Sequence, residues 1–322
     1  MEQKKILYFV IPCFNESEIV LETAQTVKDK IVQLQQQGKI SENSKICFVN
    51  DGSTDDILEK IKILHEKDSV FSLINLSHNF GHQKALLAGL MTVKNVCDFT
   101  ISMDADLQYD IEVIDVMVDS YLNGKDIVYG VRKERDSDSF FKKYTALGFY
   151  RIMKLMGVNI VYNHADYRLM SKRSLLELAK FKEVNLFLRG IIPLIGLNSD
   201  MVYYSRKARI GEYSKYPLKK MLKFAVNVIT SFSTVSIQMI TYLGFSFILF
   251  SLLMLLYCFI QFFTGNTVAG WTFIVVSLWL LGGIILMSPG IIGEYIGKIY
   301  MEKKARPRYI VDKFEDSNSS KE

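Results

Sequence analysis

The sequence has few of the residues that build metal cages, disulfide frameworks or low-complexity chains. Its four cysteines, Cys13, Cys47, Cys97 and Cys258, lie far apart with no CxxC pair, and histidine occurs only four times in 322 residues. Neither a zinc site nor a disulfide scaffold is expected, and a reducing compartment fits. The composition also rules out collagen-like repeats and disorder. No GxGxxG, P-loop or GxSxG pattern occurs, so dinucleotide, P-loop and α/β-hydrolase chemistry has no motif to stand on. The longest absence is of charge. From Phe224 to Gly293, 70 consecutive residues include no Asp, Glu, Lys, Arg or His.

That run explains a mean hydropathy of +0.15 in a chain that is 49% hydrophobic and 23% charged. A helix in water must show a polar face, and this stretch offers none. Ile240–Phe263 supplies 24 uncharged residues, enough to cross a bilayer of about 30 Å at about 1.5 Å per residue. Thr264-Gly265-Asn266-Thr267 breaks the run, and Trp271–Ile292 supplies a second crossing that ends near Pro289-Gly290. Lys215, Lys219, Lys220 and Lys223 precede the pair; Lys298, Lys303, Lys304, Arg306 and Arg308 follow it. Basic flanks mark the cytoplasmic side, so both ends are expected there, in the cell (inner or plasma) membrane.

The expected organisation is a cytoplasmic domain over 1–200, a basic amphipathic juxtamembrane segment over 201–235, two transmembrane helices over 236–293, and a cytoplasmic tail over 294–322. The tail beyond Tyr309 is polar and expected to fray. Lys4-Lys5 followed by Ile6–Ile11 mimics a signal peptide, but the apolar run is too short and reads as a strand. The net charge of +5 is mild, and its placement matters more. Tyr203–Lys223 carries seven basic residues against Glu212, and Phe140–Met156 is apolar on one face and basic on the other. Beside a membrane hairpin, such segments suit the headgroup layer better than a nucleic-acid groove.

Residues 1–131 alternate strand-like and helix-like runs. Ile6–Ile11, Ile46–Val49, Phe71–Asn75, Phe99–Met103 and Asp126–Tyr129 read as strands. Glu18–Gln36, Asp55–His65, Gln83–Lys94 and Ile111–Tyr121 read as helices. This is an α/β domain with a covered parallel sheet and ligands at the carboxyl ends of its strands. Polar residues gather there: Pro12-Cys13-Phe14-Asn15-Glu16, then Asn50-Asp51-Gly52-Ser53-Thr54-Asp55, then Asp104-Ala105-Asp106-Leu107-Gln108. Asp51-Gly52-Ser53 also suits a plain turn and helix cap, and Asp104-x-Asp106 a helix N-terminus. Three acidic strand ends in one sheet would nevertheless converge on one cleft. Carboxylates that close need a cation, and oxygen ligands suit Mg²⁺ or Mn²⁺.

The ordered runs IPCFNE, NDGSTD, NLSHNFGHQKALLAGL, SMDADLQ, YGVRKER, ADYRLMSKRS and LRGIIPLIG, with the uncharged pair of spans behind them, resemble glycosyltransferase family 2. Within it, the resemblance is to enzymes that glycosylate polyprenyl phosphates, such as bactoprenol glucosyltransferase and dolichol-phosphate mannose synthase. It implies a GT-A-type nucleotide-sugar-binding domain followed by a two-helix transmembrane hairpin. Asp51 would meet the base of a nucleotide diphosphate sugar, with Pro12, Asn15 and Glu16 shaping that pocket. Asp104 and Asp106 would hold Mg²⁺ or Mn²⁺ against the diphosphate. Asp106, Gln108 and Asp166 would act at the reacting sugar. Arg132, Arg168, Arg209, Ser214 and Lys215 would receive the acceptor phosphate.

Two departures from the family pattern stand out: Asn50, where many relatives have a second Asp, and Gly211-Glu212-Tyr213-Ser214, one residue longer than the usual loop. Arg132 could instead pair with Glu134 or Asp136, and Asp166 with Arg168 in a structural role. The implied reaction is inverting transfer to polyprenyl (undecaprenyl) phosphate, with UDP-glucose as the first donor expected and UDP-GlcNAc or GDP-mannose as alternatives. A processive polysaccharide synthase is disfavoured by the lack of QxxRW, and a non-enzymatic scaffold by the intact acids. The expected partners are the nucleotide sugar, the polyprenyl phosphate lipid and the membrane; self-association as a homo-oligomer is left open.

Overall fold

The computed structural model describes residues 4–133, 164–184, 187–205 and 271–316, with isolated helical positions at 242, 246, 249, 250, 253 and 256. The described residues fall into two units, one holding every strand and the other a long helix.

In the first unit, β1 (Leu7–Cys13), β2 (Lys45–Asn50) and β4 (Phe99–Ser102) are buried along their whole length. β3 (Phe71–Leu76) is nearly so. Continuous apolar runs of this kind belong to strands covered on both faces. α1 (Val20–Gln36) turns Val20, Ala24, Val27, Ile31 and Leu34 inward, at the three- and four-residue spacing of one helix face. α2 (Ile57–Lys67) follows β2, α3 (His82–Val93) follows β3, and α4 (Val113–Leu122) follows β4. β5 (Ile127–Arg132), β6 (His164–Ser171), α5 (Lys172–Leu178), α6 (Leu188–Leu194) and β7 (Ser199–Tyr204) complete the run.

The sheet order is β7-β5-β6-β4-β1-β2-β3-β8, with β8 at Val311–Glu315. β3, β2, β1 and β4 are mutually parallel, as the alternating pattern predicts. The sheet is mixed rather than wholly parallel, because β6 runs antiparallel to both β4 and β5. That reversal has a consequence for chemistry. Ser102, which ends β4, pairs with Arg168, so the start of β6 lies at the carboxyl end of β4. Gly89 of α3 lets that helix sit close on the sheet, since a Cβ there would overlap Val10 and Val49. The close seat fixes the first turn of α3 at the same sheet end.

The expectation of a frayed tail is corrected by β8. Val311–Glu315 pairs antiparallel with β3 and covers what would otherwise be an open edge of unpaired backbone groups. Its anchor is Asp316, only 5% exposed, which forms an ion pair with Lys45 of β2 and accepts a hydrogen bond from the Tyr8 hydroxyl at 2.9 Å. A buried lysine demands such a partner. A polar composition hid this, because the decisive residues are two charges that neutralise each other.

The second unit contains α7 (Trp271–Lys303), 33 residues long. It covers the second expected crossing and runs through Pro289 rather than ending there. Most of the first crossing, Ile240–Phe263, lies outside the described residues. Among the described residues no helix is long and apolar enough to cross a membrane. The basic segment Phe140–Met156 and nearly all of Tyr203–Lys223 also lie outside them.

Candidate active site

A cleft of about 720 Å³ opens at the carboxyl ends of β1, β2 and β4, lined among others by Asn15, Glu16, Thr54, Asp55, Asp106 and Tyr109. Its walls are loops that the sheet ends force together. Asn15 (φ 53°) and Leu107 (φ 50°) both sit in the left-handed region that non-glycine residues avoid. Strain of this kind is retained where the surroundings fix it, commonly at functional loops. The Asn15 side-chain oxygen accepts from the Thr54 backbone N–H at 2.8 Å, and its own N–H donates to Ser53 Oγ at 3.1 Å. Pro12 lies buried in β1 opposite Val49, behind this loop.

Asp51 is 2% exposed, and its two oxygens accept from the backbone N–H groups of Phe80 (2.7 Å) and Gly81 (2.9 Å). In this structure it therefore fixes the β3–α3 loop. Gly52 is required beside it, at φ +64°, because a Cβ would lie 2.5 Å from the backbone of His78 and Asn79. The loop after β4 is held from below. Thr23 of α1 donates its hydroxyl to the Ala105 carbonyl at 2.6 Å, and Tyr109 donates its own to Asp104 Oδ2. Tyr109 in turn stacks on Tyr167 with ring centroids 4.7 Å apart.

Asp104 and Asp106 converge with Glu16. Burial first, then the nearby charges of Asp106 and Asp104, pushes the Glu16 carboxyl up to about 7. Both ends of the Gln108 amide are buried without a hydrogen bond. Buried polar atoms without partners are costly and suit a site that a ligand completes. No group of three His, Cys, Asp or Glu side chains among the described residues forms a cation cage by itself. Mg²⁺ is ordinarily held by one or two carboxylates plus substrate phosphates, so this acid pair still fits such an ion.

On the other side of Asp104 stands Asp166, 3% exposed at the start of β6. The Ser102 hydroxyl fixes its backbone by donating to its carbonyl at 2.6 Å. Its carboxylate collects two guanidinium groups and an imidazole: Arg168 at 2.5 Å, Arg189 of α6 at 2.9 Å and His82 of α3 at 3.4 Å. Burial alone would raise the pKa of Asp166, but the His82 hydrogen bond and the two guanidinium charges outweigh it and hold the carboxyl well below its usual range. His82 also lies 3.3 Å from Asp104 Oδ1 and so bridges the two acids. Burial disfavours its charge, yet Asp166 and Asp104 leave its pKa raised.

The structure thus brings Asn15, Glu16, Asp104, Asp106, Gln108 and Asp166 to one sheet end. Arg168, expected at the acceptor phosphate, is 1% exposed and turned onto Asp166, which corrects that placement. Arg132 ends β5 and donates to the Tyr204 hydroxyl at 3.4 Å. Arg209, Ser214 and Lys215 lie outside the described residues, as do Glu134 and Asp136. His82 and Arg189 were missed. His82 is one of only four histidines, and Arg189 is a lone charge in the apolar run Leu188–Leu194; both signals were legible.

A model of glycosyl transferase family 2 matches residues 8–178. The chain belongs to glycosyltransferase family 2. It is 50% identical over 311 residues to the uncharacterized glycosyltransferase YkoT of Bacillus subtilis (strain 168), covering 97% of this chain and 92% of that one. It is also 36% identical over 311 residues to the SfII prophage-derived bactoprenol glucosyl transferase of Shigella flexneri, covering 96% and 98%. The α/β domain of this transferase has the GT-A-like nucleotide-sugar-binding fold of its family.

Proposed function

We propose that this transferase moves a sugar from a nucleotide diphosphate donor to polyprenyl phosphate at the cytoplasmic face of a membrane, with inversion. The observation that carries the reading is an acid pair, Asp104 and Asp106, linked from Asp104 through His82 and then Asp166 to the half-exposed guanidinium of Arg189. One side suits a cation-bound diphosphate and the other an acceptor phosphate. Relatives named bactoprenol glucosyl transferase support the lipid acceptor and make glucose, from UDP-glucose, the first donor to test.

A bound Mg²⁺ or Mn²⁺ would offset the charge that builds on the departing diphosphate. The residues of the chain do the rest. Asp104 and Asp106 would hold the ion, and Tyr109 orients Asp104. The Gln108 amide offers an unspent donor and an unspent acceptor to sugar hydroxyls. Arg189 and His82 orient the acceptor phosphate, and Asp166 fixes both. An acceptor oxygen forms a bond to the anomeric carbon as the bond from that carbon to the diphosphate oxygen breaks. The nucleoside diphosphate leaves, and an α-linked donor gives a β-linked lipid.

The membrane setting is supported by the 70 uncharged residues and by α7, where Ile274, Leu278 and Ile285 are exposed. Proline inside a helix is tolerated better in a bilayer than in water. With Cys258 replaced by Ser, cysteines introduced at Asn266 and Ser319 should react with an impermeant reagent from opposite sides of the membrane. Labelling from one side ends the hairpin reading. The reaction itself is tested with purified protein, undecaprenyl phosphate and a panel of UDP- and GDP-sugars, reading lipid mass. Glucose transfer is expected first, with N-acetylglucosamine or mannose as the alternatives. No mass gain with any donor overturns the proposal.

A further inference from the structure

A hydrogen-bonded line runs from the C-terminal strand to the cleft. Asp312 of β8 accepts from Asn75 Nδ2 at 3.1 Å, and Asn75 Oδ1 accepts from Asn50 Nδ2 at 2.8 Å. Asn50 Oδ1 then accepts from the Ser53 backbone N–H at 3.2 Å, and Ser53 Oγ accepts from the Asn15 N–H at 3.1 Å. Both ends of the amide pair are chemically fixed. A carboxylate can only accept and a backbone N–H can only donate, so each amide between them has one allowed orientation. Asn50 must present a donor toward Asn75. That accounts for an amide at a position where an aspartate would have nothing to donate.

We propose that β8 is a positioning element for the donor pocket: Asp312, Asn75 and Asn50 form a relay that sets the Asn50–Ser53 turn and, through it, the Asn15 wall of the cleft. The relay rests on the reading that this cleft takes a nucleotide diphosphate, but its structural half can be measured without one. Its anchors are independent of it, since β8 is pinned by Asp316 on Lys45 and Tyr8.

The polarity of the line supplies the experiment. Asn50→Asp sets a carboxylate against Asn75 Oδ1. Asn75 can turn its amide, but its oxygen then faces Asp312. Adding Asp312→Asn supplies a donor there, so the two side-chain bonds among residues 50, 75 and 312 reverse while the carboxylate at 50 still accepts from the Ser53 N–H. Asp312→Asn alone retains an acceptor for Asn75. Two readouts are taken in the full-length protein: affinity for UDP and GDP with Mg²⁺, and amide hydrogen exchange at Ser53 and Thr54 without nucleotide. A lost hydrogen bond to a buried partner predicts about tenfold weaker nucleotide binding and about tenfold faster exchange in Asn50→Asp. The double variant should recover most of both.

Equal behaviour of wild type and Asn50→Asp overturns the relay, and so does a double variant as impaired as the single. Should Asn50→Asp not fold, Asp312→Ala takes its place, and unchanged exchange at Ser53 in that variant overturns the proposal equally. Wild type that binds neither nucleotide while exchange follows the predicted order sinks the nucleotide reading and leaves the relay standing.

Discussion

Replacing Asp104 and Asp106 together by asparagine should cut sugar transfer by about 10²–10⁴-fold. A metal clamp on a leaving diphosphate is worth several kcal/mol, and each 1.36 kcal/mol is a factor of ten in rate. The same loss should follow chelation of the wild type by EDTA and be reversed by Mg²⁺ or Mn²⁺, whereas the double variant should stay low whatever the metal. The physical ground is charge. Glu16, Asp104 and Asp106 stand close enough for the two aspartates to push the Glu16 carboxyl up to about 7. A diphosphate brought to that wall without a cation would be repelled. Asparagine is nearly isosteric and can still accept the Tyr109 hydroxyl, so the loop should keep its shape and the melting temperature should hold. Full transfer by the double variant, or in EDTA, would remove the metal from the mechanism and with it the role given to this pair.

The parallel core was legible because its signal is local. Buried strands such as Leu7–Cys13 and Lys45–Asn50 are short apolar runs closed by polar turns, and α1 shows one apolar face. The acids Asp104 and Asp106 were legible for the same reason, since each follows directly on a strand end. What could not be read depends on partners distant in sequence. β8 is polar and becomes a strand only because β3 has a free edge and Lys45 a buried charge to neutralise. Asp166 and Arg168 looked like a local pair, but their meaning comes from Arg189 and His82, which arrive from other helices. The family resemblance implies a base contact for Asp51, and its hold on the backbone of Phe80 and Gly81 comes from a loop some thirty residues away. A side chain ionised and buried is defined by what surrounds it, and sequence order does not give those surroundings.

Asp166 should act by position and not by taking a proton. A phosphate monoester has its second pKa near about 6, so the acceptor is already mostly dianionic at neutral pH and has little proton to give. The carboxylate itself is a poor base, because His82, Arg168 and Arg189 hold its pKa far down against the effect of burial. Asp166→Asn should therefore lower transfer by a similar factor at every pH above about 6. A general base would give a different profile, with a loss that shrinks as pH rises and the acceptor deprotonates unaided. Stability gives a second, independent readout. Removing the carboxylate in Asp166→Ala takes from Arg168, 1% exposed, the acid that pairs with it at 2.5 Å, and breaking a buried pair in this way costs about 3–5 kcal/mol. The pH dependence has a definite sign. A carboxyl whose pKa is depressed on folding stabilises the native state above its unfolded value, about 3.9, and loses that contribution as pH falls toward the folded value. Asp166 also raises the His82 pKa, and that pairing adds stability below the histidine's unfolded value, about 6.5, which fades as pH rises and the imidazole loses its proton. The gap in melting temperature between wild type and Asp166→Asn should thus be widest near about pH 5, shrink toward alkaline pH, and narrow again below about 4. A gap that widens on acidification below about pH 5 would mean that the carboxylate is not held ionised by Arg168, Arg189 and the His82 hydrogen bond, and the positioning role would fall with it.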